Sequence, residues 1–283
     1  MKFKNRKQLL LIGGGLILII TAGILWSIQV EGDKNFKITM AVIEGSSAEK
    51  KAGLFNGIKE VVVYDDEASL LDALSDGRVD AVLIDFLTGL SLIKTGEFLQ
   101  LKLAGNLIDR ENTAIAFHKD DNALRQAINE GLKKIINNGA YAQISQKYFG
   151  LDILSKYQLD DSQLRESKVT DDSWLRVQHS GIITVAFYDN NWPFSYWDDD
   201  DEITGFSVDI AKSVCRELGI KLNSILYPRD EIIAGLKNKY YDCIWSSIPS
   251  TDSGDTAVCL SNPFYISGLQ LITKKDSKIR NLN

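Results

Sequence analysis

Apolar positions along this chain follow two periods, and the switches between them mark the elements. Asn122–Asn137 carries Leu124, Ala127, Ile128, Leu132, Ile135 and Ile136 at helical spacing, and Asn138-Gly139 stops it. Ala140–Phe149 reads as a second short helix closed by Gly150, and Gly205–Leu218 as an amphipathic helix stopped by Gly219. Helices are also predicted over Glu67–Leu74 and Asp230–Asn238. Between them lie short β-rich runs: Lys37–Ile43, Val61–Tyr64, Ala81–Ile84, Thr113–Phe117, Ile182–Phe187, Lys221–Tyr227, Asp242–Ser246 and Leu269–Thr273. Strands alternating with helices predict mostly parallel sheets. Leu151–Asp172 is polar with scattered apolar residues and reads as a connector holding at most one helix.

One pattern occurs twice. Leu70–Asp85 (LLDALSDGRVDAVLID) and Ile232–Ser246 (IIAGLKNKYYDCIWS) each run from an apolar helix face through a turn and an acid into a buried strand. Leu74/Leu236, Asp80/Asp242 and Val82/Ile244 align without a gap. A helix–turn–strand unit repeated once predicts two similar α/β lobes, and two lobes usually work in the cleft between them.

Charge and composition narrow the reading. Net charge is −6 over 283 residues, and Lys2, Lys4, Arg6 and Lys7 precede an apolar run; without those four positive charges the body stands at −10. An acidic body argues against nucleic acid as a partner. Leu9–Trp26 is uncharged and apolar and the uncharged run continues to Val30, long enough to span a bilayer. The positive flank predicts a single-pass anchor with the body outside the cell membrane, extracellular or periplasmic. A cleaved signal peptide is the rival, although Ile24, Leu25, Trp26 and Ile28 leave no clear cleavage site. Cys243 and Cys259 could pair; the plainer expectation for them and Cys215 is small core residues. His118 and His179 are isolated, and no ligand spacing suggests a metal or cofactor.

Several segments resemble one family, the extracellular solute-binding proteins that serve polar amino-acid ABC importers. The opening of that family's lobe 1 is similar to ITVAFYDNNWPFSYWDDDDEITGFSVDIA (183–211), continued by Ser261-Asn-Pro-Phe-Tyr and Gly268-Leu-Gln-Leu-Ile. Its lobe 2 resembles Ile38–Asp85, its return crossing Ala114–Lys119, and its closing helices Asn122–Gly150, with NNGAYAQISQKYFG a near match. The resemblance covers almost all of 37–275. It implies an α/β, two-lobed, type II periplasmic-binding-protein-like fold, preceded here by the N-terminal transmembrane helix. The order of the pieces differs from the family's, which implies a circular permutation. Residues 1–34 would be the cytoplasmic stub and anchor, 37–117 lobe 2, 118–150 the closing helices of lobe 1, 151–173 the connector and 174–275 the rest of lobe 1. The alternative is chain exchange in a swapped dimer.

The resemblance also implies a site. Asp85 matches the family's acid for the ligand's α-amino group, a role suited to charge-assisted hydrogen bonding; an ordinary helix cap is the bland alternative. Ser46 and Ser47 match the turn whose backbone N–H groups meet the ligand carboxylate at a helix N-terminus. Tyr188 and Trp192 fall where the family places an aromatic wall, with Phe194 expected in the core. Arg229 stands where an aromatic is usual, and Ser246 and Ser247 keep small polar groups nearby. The departure is at WSSIPSTDSG (245–254): Pro249 and Gly254 stand where the family usually has a Thr and an Arg that grip the carboxylate. The implied function is binding of a small polar solute, an amino acid or related amine, for an ABC permease. A ligand-sensing or degenerate interaction module is the alternative. An enzyme on the same fold is the third reading, and no nucleophile triad or acid pair supports it.

Overall fold

The computed structural model describes residues 37–96, 98–156, 171–249 and 257–282. The strands are β1 (Ile38–Ile43), β2 (Ile58–Tyr64), β3 (Ala81–Asp85), β4 (Leu101–His118), β5 (Ile182–Tyr188), β6 (Tyr196–Trp197), β7 (Ile203–Thr204), β8 (Lys221–Tyr227), β9 (Cys243–Pro249), β10 (Val258–Leu260) and β11 (Tyr265–Lys274). The helices are α1 (Ser47–Ala52), α2 (Glu67–Asp76), α3 (Phe86–Lys94), α4 (Asn122–Asn137), α5 (Ala140–Phe149), α6 (Ile153–Lys156), α7 (Ser173–Ser180), α8 (Phe206–Leu218) and α9 (Ile232–Lys237).

Local chemistry explains the boundaries. The Asp66 carboxylate caps α2 by accepting from the Ser69 amide at 2.8 Å. At its other end Gly77, at φ 78°, returns its N–H to Ala73 and Leu74. The helix buries Leu70, Leu71, Ala73 and Leu74, the face its periodicity implies. In α8 the buried set is Phe206, Val208, Ile210, Ala211, Val214 and Cys215.

Two triads of parallel strands have the same internal order. β1 lies between β2 and β3, and β5 lies between β8 and β9. Joined by β11 and β4, they give the order β2-β1-β3-β11-β4-β9-β5-β8, with β10 also on β4. β4 is 18 residues long, about 60 Å at ~3.3 Å per residue. It pairs with β11 from Leu101 to Thr113 and with β9 from Thr113 to Phe117, so one strand belongs to both halves. Separate cores lie around the triads: Met40, Val42, Leu71, Leu74, Val82 and Leu83 in the first half, and Val185, Phe187, Phe206, Cys243 and Trp245 in the second. Helix α3 follows β3 of the first half, yet its Phe86 and Leu87 sit in the core of the second with Tyr148, Phe149 and Phe206.

The architecture departs from the sequence reading at β4 and at α3. β4 begins twelve residues before the expected Thr113, because Asn106–Asn112 looks like a polar loop but is held as strand by β11. Helix α3 was not expected; its run of Leu, Ile and Thr reads equally as strand. β1 and β11 lie on either side of β3, which pairs with both. The C-terminal segment packs on the first half, where Ile279 is buried against the core.

Cys243 and Cys259 do not pair. Each lies opposite Phe117, one on either side of β4. Two strand spacings, about 9–10 Å, separate them, beyond the ~7 Å a disulfide can bridge. The expected anchor at 1–34 and Gly254 lie outside the described residues. Among the described residues no helix is long and apolar enough to cross a membrane.

Candidate functional site

Where the two halves meet, the crossing strands enclose a polar cavity of about 140 Å³. Ser47 and Lys51 reach it from α1 and Asp85 from the end of β3. β4 contributes Asp109, Glu111 and Thr113, and β9 contributes Ser247. β11 closes it with Tyr265, Ser267, Gly268 and Leu269. A larger hollow of about 460 Å³ lies between α4, α7 and α8, lined by Ala123, Ala127, Trp174 and Leu218 with Glu130, Lys134 and Glu217. It belongs to the second half alone. The smaller cavity draws on both halves, which is the property a binding cleft needs.

Asp85 is the most constrained group of the site. Its Oδ1 accepts from the Thr88 amide at 2.9 Å and from the Thr88 hydroxyl at 3.1 Å, capping α3. Its other oxygen accepts from the Ser267 hydroxyl. Burial pushes the Asp85 pKa above the usual carboxylate range, and the Ser267 and Thr88 hydrogen bonds oppose that rise. No ion pair to Asp85 occurs among the described residues. The cap and the cavity wall are thus one residue in two roles.

The opposite wall is built on Tyr265. Its ring stacks on Phe194 with centroids 5.5 Å apart, and its hydroxyl lies 2.6 Å from Ser247 Oγ. Burial raises the Tyr265 pKa, so the phenol stays protonated at neutral pH. Phe194 is buried, as a core residue should be. At the rim Lys51 Nζ meets Asp109 at 2.6 Å, with both side chains about half exposed.

The structure brings Ser47, Asp85 and Ser247 to this cavity and leaves the other predicted residues outside its lining. Ser46 is spent on α1, accepting from the Glu49 amide at 3.1 Å. Ser246 is buried in β9, where its hydroxyl accepts from the Tyr188 amide at 2.8 Å. Tyr188 packs with Ile232, Leu236 and Tyr241 in the core of the second half. Arg229 covers the Tyr188 ring at 4.0 Å, a cation–π contact at the surface. Trp192 is partly buried in the loop that leads to Phe194. Sequence reasoning missed Lys51, Asp109, Glu111, Thr113, Tyr265 and Ser267. Most of these sit on β4 and β11, and only the long-range pairing of Tyr265 with Thr113 and Ser267 with Glu111 aims them together.

Two α/β halves joined by shared crossing strands around a polar cavity define a two-lobed binding protein. The sequence pattern of the bacterial extracellular solute-binding proteins, family 3, matches residues 47–151 and 183–281. The chain belongs to that family. It is 29% identical over 119 residues to the L-cystine-binding protein TcyA of Bacillus subtilis (strain 168), covering 42% of this chain and 44% of the relative. It is 34% identical over 85 residues to the arginine-binding periplasmic protein of Mannheimia haemolytica, covering 30% and 36%. The chain thus spans less than half the length of these relatives. The L-cystine solute receptor of Neisseria gonorrhoeae, in its unliganded open conformation, shares 28% identity over 29% of this chain and 35% of its own, with a TM-score of 0.27. That superposition is too partial to bear on the ligand.

Proposed function

We propose that the protein binds a small polar solute, an amino acid or related amine, in the hinge cavity and passes it to an ABC importer as its halves close. The observation that carries this reading is the cavity itself, walled by α1 and β3 of the first half, β9 of the second and the two strands common to both. Asp85 would pair with the solute's ammonium, held in place beforehand by Thr88 and Ser267. Ser47, Ser247 and Tyr265 would supply neutral hydrogen bonds.

The apolar run at 9–26 behind basic residues supports a membrane anchor with the body outside and a permease as partner. The shared strands support a permuted rather than exchanged chain: β4 pairs with both β9 and β11 of its own molecule. In that reading 37–117 forms lobe 2, 118–150 and 174–275 form lobe 1, and 151–173 joins the old termini. The decisive test is a thermal-shift and calorimetric screen of the full chain against amino acids, amines and small sugars. Saturable binding that Asp85→Asn weakens supports the proposal. A wild type stabilised by nothing in the screen favours the interaction-module reading instead.

A further inference from the structure

The geometry points to an organic cation without a carboxylate, an amine rather than an amino acid, as the solute of the hinge cavity. This rests on the reading of that cavity as the solute site. Four observations on its walls and on the residues beside them converge.

First, the charge is one-sided. Among the described lining residues are three acids, Asp85, Asp109 and Glu111, and one base, Lys51. That base is already held by Asp109 at 2.6 Å. A carboxylate entering here meets three acids and must compete with Asp109 for the one ammonium.

Second, the helix N-terminus that would receive a carboxylate is occupied from within. Glu49, in the first turn of α1, turns its own carboxylate back to the Gly45 amide at 2.7 Å, while Ser46 caps the Glu49 amide. The Gly45 amide next to the lining residue Ser47 is thus already taken by the protein's own anion.

Third, the described residues that the second half brings to the cavity include no cation. Pro249 pairs opposite the lining residue Thr113 and has neither a hydroxyl nor an N–H to donate. Among the described lining residues there is no Arg to form a bidentate fork.

Fourth, Asp85 has no counter-charge among the described residues. Its bonds come from an amide and two hydroxyls, and burial disfavours its ionised form. A buried carboxylate gains most from a cation placed against its remaining lone pair. The hydroxyl oxygens of Thr113, Ser247 and Tyr265 can accept the other ammonium protons.

The test compares amines with the amino acids from which loss of carbon dioxide derives them. Putrescine against ornithine, cadaverine against lysine and agmatine against arginine differ only by the carboxylate. Each is titrated calorimetrically into the purified full-length protein at neutral pH. At least one amine is expected to bind ten times more tightly than its amino acid. An amino acid that binds as tightly as its amine, or more so, overturns the inference while leaving the solute site standing. Silence of both series overturns the site and the inference together. Two variants address the cause: Glu49→Gln removes the internal anion, and Asp109→Asn releases Lys51. Provided circular dichroism shows both folded, each should shrink the amine preference at least threefold. An unchanged preference in both overturns the assignment of that preference to these walls.

Discussion

Asp242 accepts the backbone amide of Thr184 at 2.8 Å and returns its own amide to the Thr184 carbonyl at 2.9 Å. In the other half Asp80 makes the same pair of bonds to Thr39, at 2.8 and 2.9 Å. Each Asp ends the turn after a helix and locks the outgoing strand onto the first strand of its triad. The repeat in the sequence is therefore a repeated latch. The two differ in setting: Asp242 also binds Arg176 at 2.7 Å and is largely buried, while Asp80 is exposed.

That difference predicts unequal costs. Asp242→Ala should destabilise by about 2–3 kcal/mol, the loss of two charge-assisted bonds in a shielded place, and Asp80→Ala by about 1 kcal/mol. Urea unfolding of the two variants measures both. Equal costs would show that the Arg176 contact contributes nothing.

Asp85 makes a pH prediction with an unusual sign. Its folded pKa lies above the ordinary 3.8. The folded state therefore holds its proton more tightly than the unfolded chain. Its stabilising effect is complete below the unfolded pKa and is lost as pH rises from there through the folded pKa. Asp85→Asn keeps a capping side chain and removes the titration. Ligand-free wild type should thus lose stability relative to Asp85→Asn as pH rises from about 4 toward neutrality. Asp66 and Asp171, whose pKa values are lowered, work in the opposite direction but cancel in the difference. The same variant should bind solute more weakly by about 2–5 kcal/mol, the range for removing one partner of a buried charge pair. Parallel pH–stability curves for the two proteins would exclude a raised pKa at this site.

Gly268 makes a geometric prediction. It stands at φ +156° on the cavity wall, where the pairing of β11 with β4 slips register. A Cβ there would lie 2.7 Å from the Ile108 carbonyl oxygen and 3.1 Å from that of Asp109. Gly268→Ala should cost about 1–3 kcal/mol. It should also weaken solute binding, because Ser267 shifts relative to Asp85. Thermal unfolding and solute titration of one preparation check both effects. A stable variant that binds normally would show that the strands part freely here.

The cysteines predict indifference to reductant. Cys215 and Cys243 are buried and Cys259 is half-buried beside His118. Burial pushes the Cys259 thiol up to about 11 and Cys215 to about 12. All three should react slowly with thiol reagents in the folded protein, Cys259 first, and Tm should not change on adding dithiothreitol. A Tm that falls with reductant would require a disulfide, whereas all three cysteines are free thiols.

The sequence by itself determined the elements whose causes are local. Helix α4 and helix α5 follow from apolar spacing and a terminal Gly, and β8 from a short β-rich run between stop signals. The doubling of the α/β unit was legible because the two latch acids, Asp80 and Asp242, occupy matching places in a repeated pattern. Asp85, Ser47 and Ser247 were legible as site residues through the family resemblance, since a strand-end acid or a small polar group has no local mark of a ligand role. The rest was decided in three dimensions. A polar stretch such as Asn106–Asn112 becomes strand only because β11, more than 150 residues later, supplies its hydrogen bonds. Tyr188 and Ser246 were drawn into the second half's interior by packing against β8, β9 and α9, so polar or aromatic character alone did not bring them to the cavity. Lys51, Asp109, Glu111 and Ser267 carry no local mark of function. They converge because two antiparallel strands cross the boundary between the halves, and residues far apart in the chain become neighbours only when that crossing is made.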